Sequence, residues 1–433
     1  MFGKIAVIVK AYAFFALAFS VFGLMFAMRP VTWLPTLVFL SCGLAFLANA
    51  KYRDEVLSLS VNKDLRWIAM PFVAWFATCL FVGVWHWGFA KYAFPDNPFR
   101  ILLAVSALAL AVHASAKKSF VIGLLVASVC AALSVLYGYV MADTHYPRIS
   151  GTTNHPIYFG NFSAMLVVLL ISMAALDACL KTTLRLVCML GSVLAFGAVI
   201  ASQSRSSFVV LLCLVPLLLM RTTDRFHRNL VRFAYAFVLS CALLVALTPS
   251  LQERLRLKES VSDIEMIDSN NYQGSIGSRL AMWQAAWRMF KAHPVVGIGP
   301  HKFQSEFIKK MESGEVPRAD SEHNQPHNDM LNAAATGGVL KLFAYLFLMV
   351  GPFVFFYKRY KVNQADVDRR IAPILGMQVV GAFFLTGLTN SNFDQQIYST
   401  TYAALVCVLA GLSSFEVNAV EPSTPSTPAV PSR

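Results

Sequence analysis

Residues 157–176, IYFGNFSAMLVVLLISMAAL, run for twenty positions without a charged side chain. As a helix rising about 1.5 Å per residue, such a run covers about 30 Å, the thickness of a bilayer's hydrocarbon core. Outward from it, charged or polar brackets mark apolar segments at 11–28, 31–50, 67–90, 101–116 and 120–141. They continue with 157–178, which contains the quoted run, then 186–202, 206–220, 229–248, 338–357, 371–390 and 397–414. No alternating ten-residue pattern lies between them, which argues against a β-barrel. Composition agrees: 57% of the 433 residues are apolar and 14% charged, with mean hydropathy +0.58, whereas about a quarter of a soluble domain is charged. The expected fold is an all-α polytopic membrane protein of about twelve transmembrane helices with one large helical loop.

Orientation follows from the basic residues. With both termini cytoplasmic, 19 Lys or Arg fall on the cytoplasmic side, among them Lys51, Lys117, Arg225 and Arg359, against 5 in the short opposite loops: Arg29, Lys91, Arg100, Arg148 and Arg205. That asymmetry satisfies the positive-inside rule. The net charge of +13 is then a topological signal, and no nucleic-acid partner is expected. The segment 11–28 follows two lysines and lacks a small-residue cleavage site, so it reads as a retained first helix. All eight cysteines lie in or beside apolar runs without metal-binding spacing and read as core residues.

The organisation expected is 1–248 for helices one to nine, 249–337 for an outer loop domain, 338–414 for the last three helices, and 415–433 for a Ser/Thr/Pro-rich disordered cytoplasmic tail. The loop carries ten basic and eleven acidic residues in mixed order, so it reads as a folded unit, long enough to serve as a lid. Ser278 is the expected cap of an amphipathic helix through Phe290. VVGIGP (295–300) reads as a connector, 301–313 as a second helix, and 328–337 as a third that stops at Gly337-Gly338.

Three residues carry chemistry. From Ser206 to Met220 a helix rises only about 22 Å, so Arg205 is expected recessed below the outer headgroups, beside the hydroxyls and amide of Ser202, Gln203, Ser204, Ser206 and Ser207. A snorkelling arginine is the plain reading; a lipid-phosphate site is the sharper one, because a guanidinium fork matches phosphate oxygens. Arg279, in the first turn expected for its helix, is poorly placed for helix stability and well placed to collect an anion; a solvated arginine or a salt bridge is the alternative. His327, after Pro326 at a helix N-terminus, has its imidazolium disfavoured by the helix dipole, which leaves a neutral base. A structural or solvated histidine, or a metal site with Glu322, His323 and Asp329, competes with that reading. Arg148, Asn154, His323, Asn328 and Asp394 are further candidates for lining a polar cleft. Asn390 and Asn392 share the last loop with Asp394, and caps and turns are the alternative there. Trp85 and Trp87 read as an aromatic belt.

At these same residues the chain resembles the O-antigen ligases and the related lipid-linked O-antigen polymerases and protein O-oligosaccharyltransferases. The matching pieces are SQSRSSF with Arg205, GSRLAMWQAAW with Arg279, HPVVGIGPHKF with Gly297, Gly299 and Pro300, and PHNDMLNAAATGG with His327. The resemblance implies a type C membrane glycosyltransferase, inverting and independent of metal or other cofactor, in the bacterial inner membrane with its site facing the periplasm. It implies an undecaprenyl pyrophosphate-linked glycan as donor and lipid A-core oligosaccharide as the acceptor of the ligase branch, which completes lipopolysaccharide. His327 would then deprotonate the acceptor hydroxyl, and Arg205 and Arg279 would hold the pyrophosphate. A transporter for an anionic lipid or solute is the alternative of a different class. Transporters gather ionisable groups near the midplane, whereas the candidates here gather at one face.

Overall fold

A computed structural model describes residues 33–61, 64–88, 94–108, 117–141, 148–151, 153, 155–176, 180–214, 272, 274–319, 323–366 and 369–414. Among these residues every regular element is helical. In chain order they are α1 (Trp33–Ala48), α2 (Ala50–Val61), α3 (Arg66–Trp87), α4 (Asp96–Ser106), α5 (Lys117–Val140), α6 (Pro156–Leu176), α7 (Thr182–Ser202) and α8 (Arg205–Val210). They continue with α9 (Ser275–Ala292), α10 (Phe303–Glu312), α11 (Asp329–Val362), α12 (Ile371–Gly387) and α13 (Gln396–Ser414). Short 3-10 turns occupy Leu211–Leu214 and Asn392–Asp394.

Six described helices are long and apolar enough to cross a membrane, and α1 and α12 are shorter apolar helices. The chain is a multi-pass helical membrane protein. The segments expected at 11–28 and 229–248, and the tail 415–433, lie outside the described residues. The quoted run becomes α6, which is buried along its whole length and packs against α7, α8 and α12. On the periphery Leu44, Leu47, Leu133, Leu136, Leu186 and Leu190 point outward. A surface of that kind would drive aggregation in water and is the expected boundary against lipid tails. Helix α2, mostly polar, occupies a stretch read from sequence as a cytoplasmic loop.

Helix α11 positions the site. Its first turns run from Asp329 to Gly337, and at Gly338 the backbone leaves helical geometry (φ 63, ψ −159). A Cβ at Gly338 would collide with the main chain of Val295 and Val296, so no other residue fits. The break frees carbonyls, and buried carbonyls need donors. The connector supplies them: Ile298 N donates to Ala335 O (2.9 Å) and Gly299 N to Thr336 O (3.1 Å), while Val339 N beyond the break donates to Pro294 O (2.7 Å). His86 Nε2 lies 3.1 Å from Val296 O, which fastens the same connector to the end of α3. Trp87, expected in a lipid-facing belt, also bonds inward, its Nε1 donating to Pro300 O (3.4 Å).

On the membrane side of the break, Phe393 sits within 6.0 Å, ring to ring, of Trp75, Tyr345 and Tyr402. These edge-on contacts seat the Asn392–Asp394 turn against α11, and Phe393 N donates to Asp329 Oδ1 (3.3 Å). The loop domain has its own small core of Ala281, Met282, Ala285, Met289, Phe303, Phe307 and Met311.

Candidate functional site

Arg205 follows a sharp reversal. Helix α7 ends with Gln203 in the left-handed region (φ 51, ψ 31) and Ser204 extended, after which Arg205 opens α8. Gly160 makes the junction compact, since a Cβ there would strike the hydroxyls of Ser202 and Ser207. Ser206 and Ser207 donate to Asn161 Oδ1 (3.3 and 3.0 Å), and Asn161 Nδ2 donates to Tyr398 OH (2.9 Å). Ser202 Oγ accepts from Ser204 N (3.2 Å). These hydroxyls hold α6, α7 and α8 together and are not a ready shell for an anion, because buried hydroxyls are satisfied within the fold first.

The strap before α6 closes on the same junction: Arg148 Nε donates to Ser202 O (3.3 Å) and Ile149 N to Ala201 O (3.1 Å). His155 follows, its imidazolium disfavoured by burial and then by Arg148. Asn154 lies outside the described residues.

Arg279 belongs to α9, whose N-cap is Gly274 and not Ser278. Gly274 is extended and its carbonyl accepts Ser278 N (2.8 Å), while Ser278 Oγ donates to Tyr272 O (3.2 Å) from within the helix. Arg279 therefore stands in the second turn, where the partial charge of the helix terminus has faded. Burial, and then the charge of Arg205, lowers its pKa from the usual guanidinium value. No carboxylate among the described residues forms an ion pair with Arg279. Two guanidiniums from stretches about seventy positions apart thus lie close enough to repel each other. Trp283, one turn further along α9, donates its Nε1 to Pro326 O (2.9 Å) and so fixes the segment that bears the histidine.

His327 is itself left-handed (φ 50), an uncommon state for a residue with a side chain. It sits between Pro326 and Asn328, the N-cap of α11. Asn328 Oδ1 accepts Leu331 N (3.0 Å) and its Nδ2 donates to Leu388 O (3.1 Å), so both ends of this amide serve the fold and the substrate-lining reading loses ground. The His327 pKa falls to about 4: burial is the main cause, followed by the charges of Arg279 and His323, with a smaller push from His155, and a hydrogen bond with Asn390 opposes them. Burial and neighbouring charges, and not the helix dipole invoked from sequence, favour the neutral form. The His323 and His327 rings meet edge to face, 5.3 Å between centroids, and Glu322 lies outside the described residues.

Asn390 is the residue whose part was least visible. Asn392 donates to Phe383 O (3.1 Å) and Thr386 Oγ1 (2.9 Å), which turns its Oδ1 toward Asn390 Nδ2 (3.0 Å). Asn390 is left to present its own oxygen to His327. The only signal in sequence is the polar run TNSN between two apolar helices. Asp394 does not join this cluster: its Oδ2 accepts Asn332 Nδ2 (2.7 Å) and it faces an adjoining cavity.

The arrangement joins Arg205, Arg279, His327, His323 and His155, with Arg148 at its edge. Paired, half-buried cations favour a ligand with more than one negative charge, and a neutral imidazole beside them can accept a proton. Comparison with known proteins gives the same region weight. Residues 190–346, which include Arg205, Arg279, the connector and His327, match a family model described as O-antigen ligase. A protein of Haemophilus influenzae named only as uncharacterized is 22% identical over 177 residues, 41% of this chain and 44% of that protein. The match thus spans less than half of that relative's length.

Proposed function

With residues 190–346 of O-antigen ligase type as the premise, we propose that this protein is a membrane glycosyltransferase that moves a glycan from undecaprenyl pyrophosphate to a hydroxyl of lipid A-core oligosaccharide. The donor's two phosphates lie against the guanidiniums of Arg205 and Arg279. His327, neutral and oriented by Asn390, takes the proton of the acceptor hydroxyl. The acceptor oxygen forms its bond to the anomeric carbon from the face opposite the phosphate, so the configuration inverts. The anomeric carbon–oxygen bond breaks, and the electron pair leaves with the pyrophosphate. The two guanidiniums offset the charge that grows on that leaving group, which lowers the barrier more than it strengthens ground-state binding.

What supports this reading is that Arg279 lies within electrostatic reach of both Arg205 and His327, three side chains from three separate stretches of chain. On the same reading the fold is of type C with about twelve spans, in the inner membrane. The site faces the periplasm and both termini are cytoplasmic, the orientation that the 19-to-5 division of basic residues supports. No metal takes part in any step proposed.

The test is reconstitution with lipid-linked glycan and three acceptors offered separately: lipid A-core, a glycan chain and a pilin. Extension of lipid A-core, insensitive to EDTA and lost in His327→Ala, is the expected result. Extension of another acceptor alone would reassign the branch. Transfer at a normal rate by His327→Ala would remove the base.

A further inference from the structure

Residues of the segment 323–328 serve two places. His323 and His327 join the cation cluster, whereas Asn324 and Gln325 line a separate cavity of about 820 Å³. That volume lies within the range of pockets that hold ligands of several rings. One face of α3, with the buried Trp75, Cys79 and Val82 at helical spacing, lines about 10 Å of it along the axis. Asn97 of α4 and Gln304 of α10 also line it.

The charges of this lining do not add up to an anion site. Among the described residues Lys341 is the only Lys or Arg that lines it; Nζ donates to Thr336 Oγ1 (3.1 Å) and lies 5.8 Å from the centre of the Trp75 ring. Two carboxylates oppose it. Asp96 is already paired with Arg100 at 2.9 Å, and Asp394 accepts from Asn332. What remains is a set of primary amides, each able to donate and accept. A polyhydroxyl ligand answers that pattern, because every sugar hydroxyl also does both.

We propose that this cavity is a saccharide site, which holds an uncharged stretch of the acceptor oligosaccharide next to the segment that carries His327. The amides of Asn324 and Gln325 and the exposed carboxylate of Asp394 bind its hydroxyls. The proposal rests on the transfer reading only for the sugar's origin. Inverting transfer itself requires the acceptor and the leaving phosphate on opposite sides of the anomeric carbon. A near-neutral amide-lined cavity beside a doubly cationic cluster divides the substrates in that sense.

The experiment uses the full chain in nanodiscs. The probes are the lipid-free oligosaccharide released by mild acid from the producing strain's outer-membrane glycolipid, inorganic phosphate, and spermidine. Binding is read by calorimetry and saturation-transfer NMR. Wild type and His327→Ala are expected to bind the oligosaccharide alike. Gln304→Trp, which puts a bulky ring into the lining, and Asp394→Asn, nearly isosteric at an exposed position, are expected to weaken it at least about tenfold with an unchanged melting temperature. With transfer as readout, Asp394→Asn raises KM for the acceptor and leaves kcat nearly unchanged. Four results would overturn the site: no oligosaccharide binding to wild type; binding untouched by both cavity variants; binding lost in Arg279→Ala and kept in the cavity variants; or phosphate or spermidine displacing the sugar. Normal transfer by His327→Ala alongside sugar binding lost in the cavity variants would sink the reaction and leave the site standing.

Discussion

At the scale of single residues, His327 decides the pH behaviour. Its pKa of about 4 compares with about 6.5 for a free imidazole, so it is a competent base well below neutrality. The acid limb of kcat/KM, which reports the free enzyme, is expected near pH 4. Bound pyrophosphate sets negative charge beside the ring and favours the imidazolium, so the acid limb of kcat should lie at higher pH; coincident limbs would contradict the assignment. Linkage gives the same sign for stability. The unfolded chain takes up a proton below about pH 6.5 and the folded one resists it, so this residue's contribution is full above that pH and is lost as pH falls toward 4. Removing the base in His327→Ala should cost about 10²- to 10⁴-fold in kcat. Arg279→Gln removes the largest charge acting on the imidazole; it should shift the kcat/KM limb upward as well as weaken donor binding, and a limb that stays in place would show the two side chains to be uncoupled.

At the scale of elements, the break in α11 is the sharpest case. Gly338→Ala combines a positive φ with a collision against main chain, which has no flexible side chain to yield, so it should cost more than about 4 kcal/mol and reduce the yield of folded protein. Gly314 also has positive φ (73) but nothing within 4 Å of its Cβ position, so Gly314→Ala should cost only about 1–2 kcal/mol of backbone strain. Melting temperatures of the pair separate collision from conformation. This break was readable in the sequence as Gly337-Gly338, and so were α9 and α10, because small residues and apolar spacing act locally. The start of α9 was misread: Ser278 is a good capping residue by type, but the bond from its amide to the Gly274 carbonyl places the first turn earlier. The tie of the serines around Arg205 to the rest of the fold was not legible, since their partner Asn161 stands about forty-five positions away on α6 and no local pattern carries that. Arg205, Arg279 and His327 were legible as chemically misplaced residues, whereas Asn390 gained its meaning only through Asn392 and Thr386.

At the scale of the whole molecule, the proposed orientation rests on the basic residues, and that is open to a direct check. In spheroplasts an impermeant maleimide should label Glu315→Cys in the loop domain and spare Lys361→Cys at the far end of α11, while the described native cysteines, mostly buried, give a low background. The reverse pattern would turn the protein over and remove the periplasmic site. The connector also bears on how the proposed lipid-borne donor would get in. Segment 294–300 works like the keystone of an arch: it finishes the half-turn that the membrane helix abandons, and the helix in turn holds it up. Were the outer domain to swing away along that seam, it would strand amides and carbonyls on both sides at once. Entry must therefore use a pivot elsewhere, and damage to the keystone should show up as missing protein before it shows up as a slower enzyme.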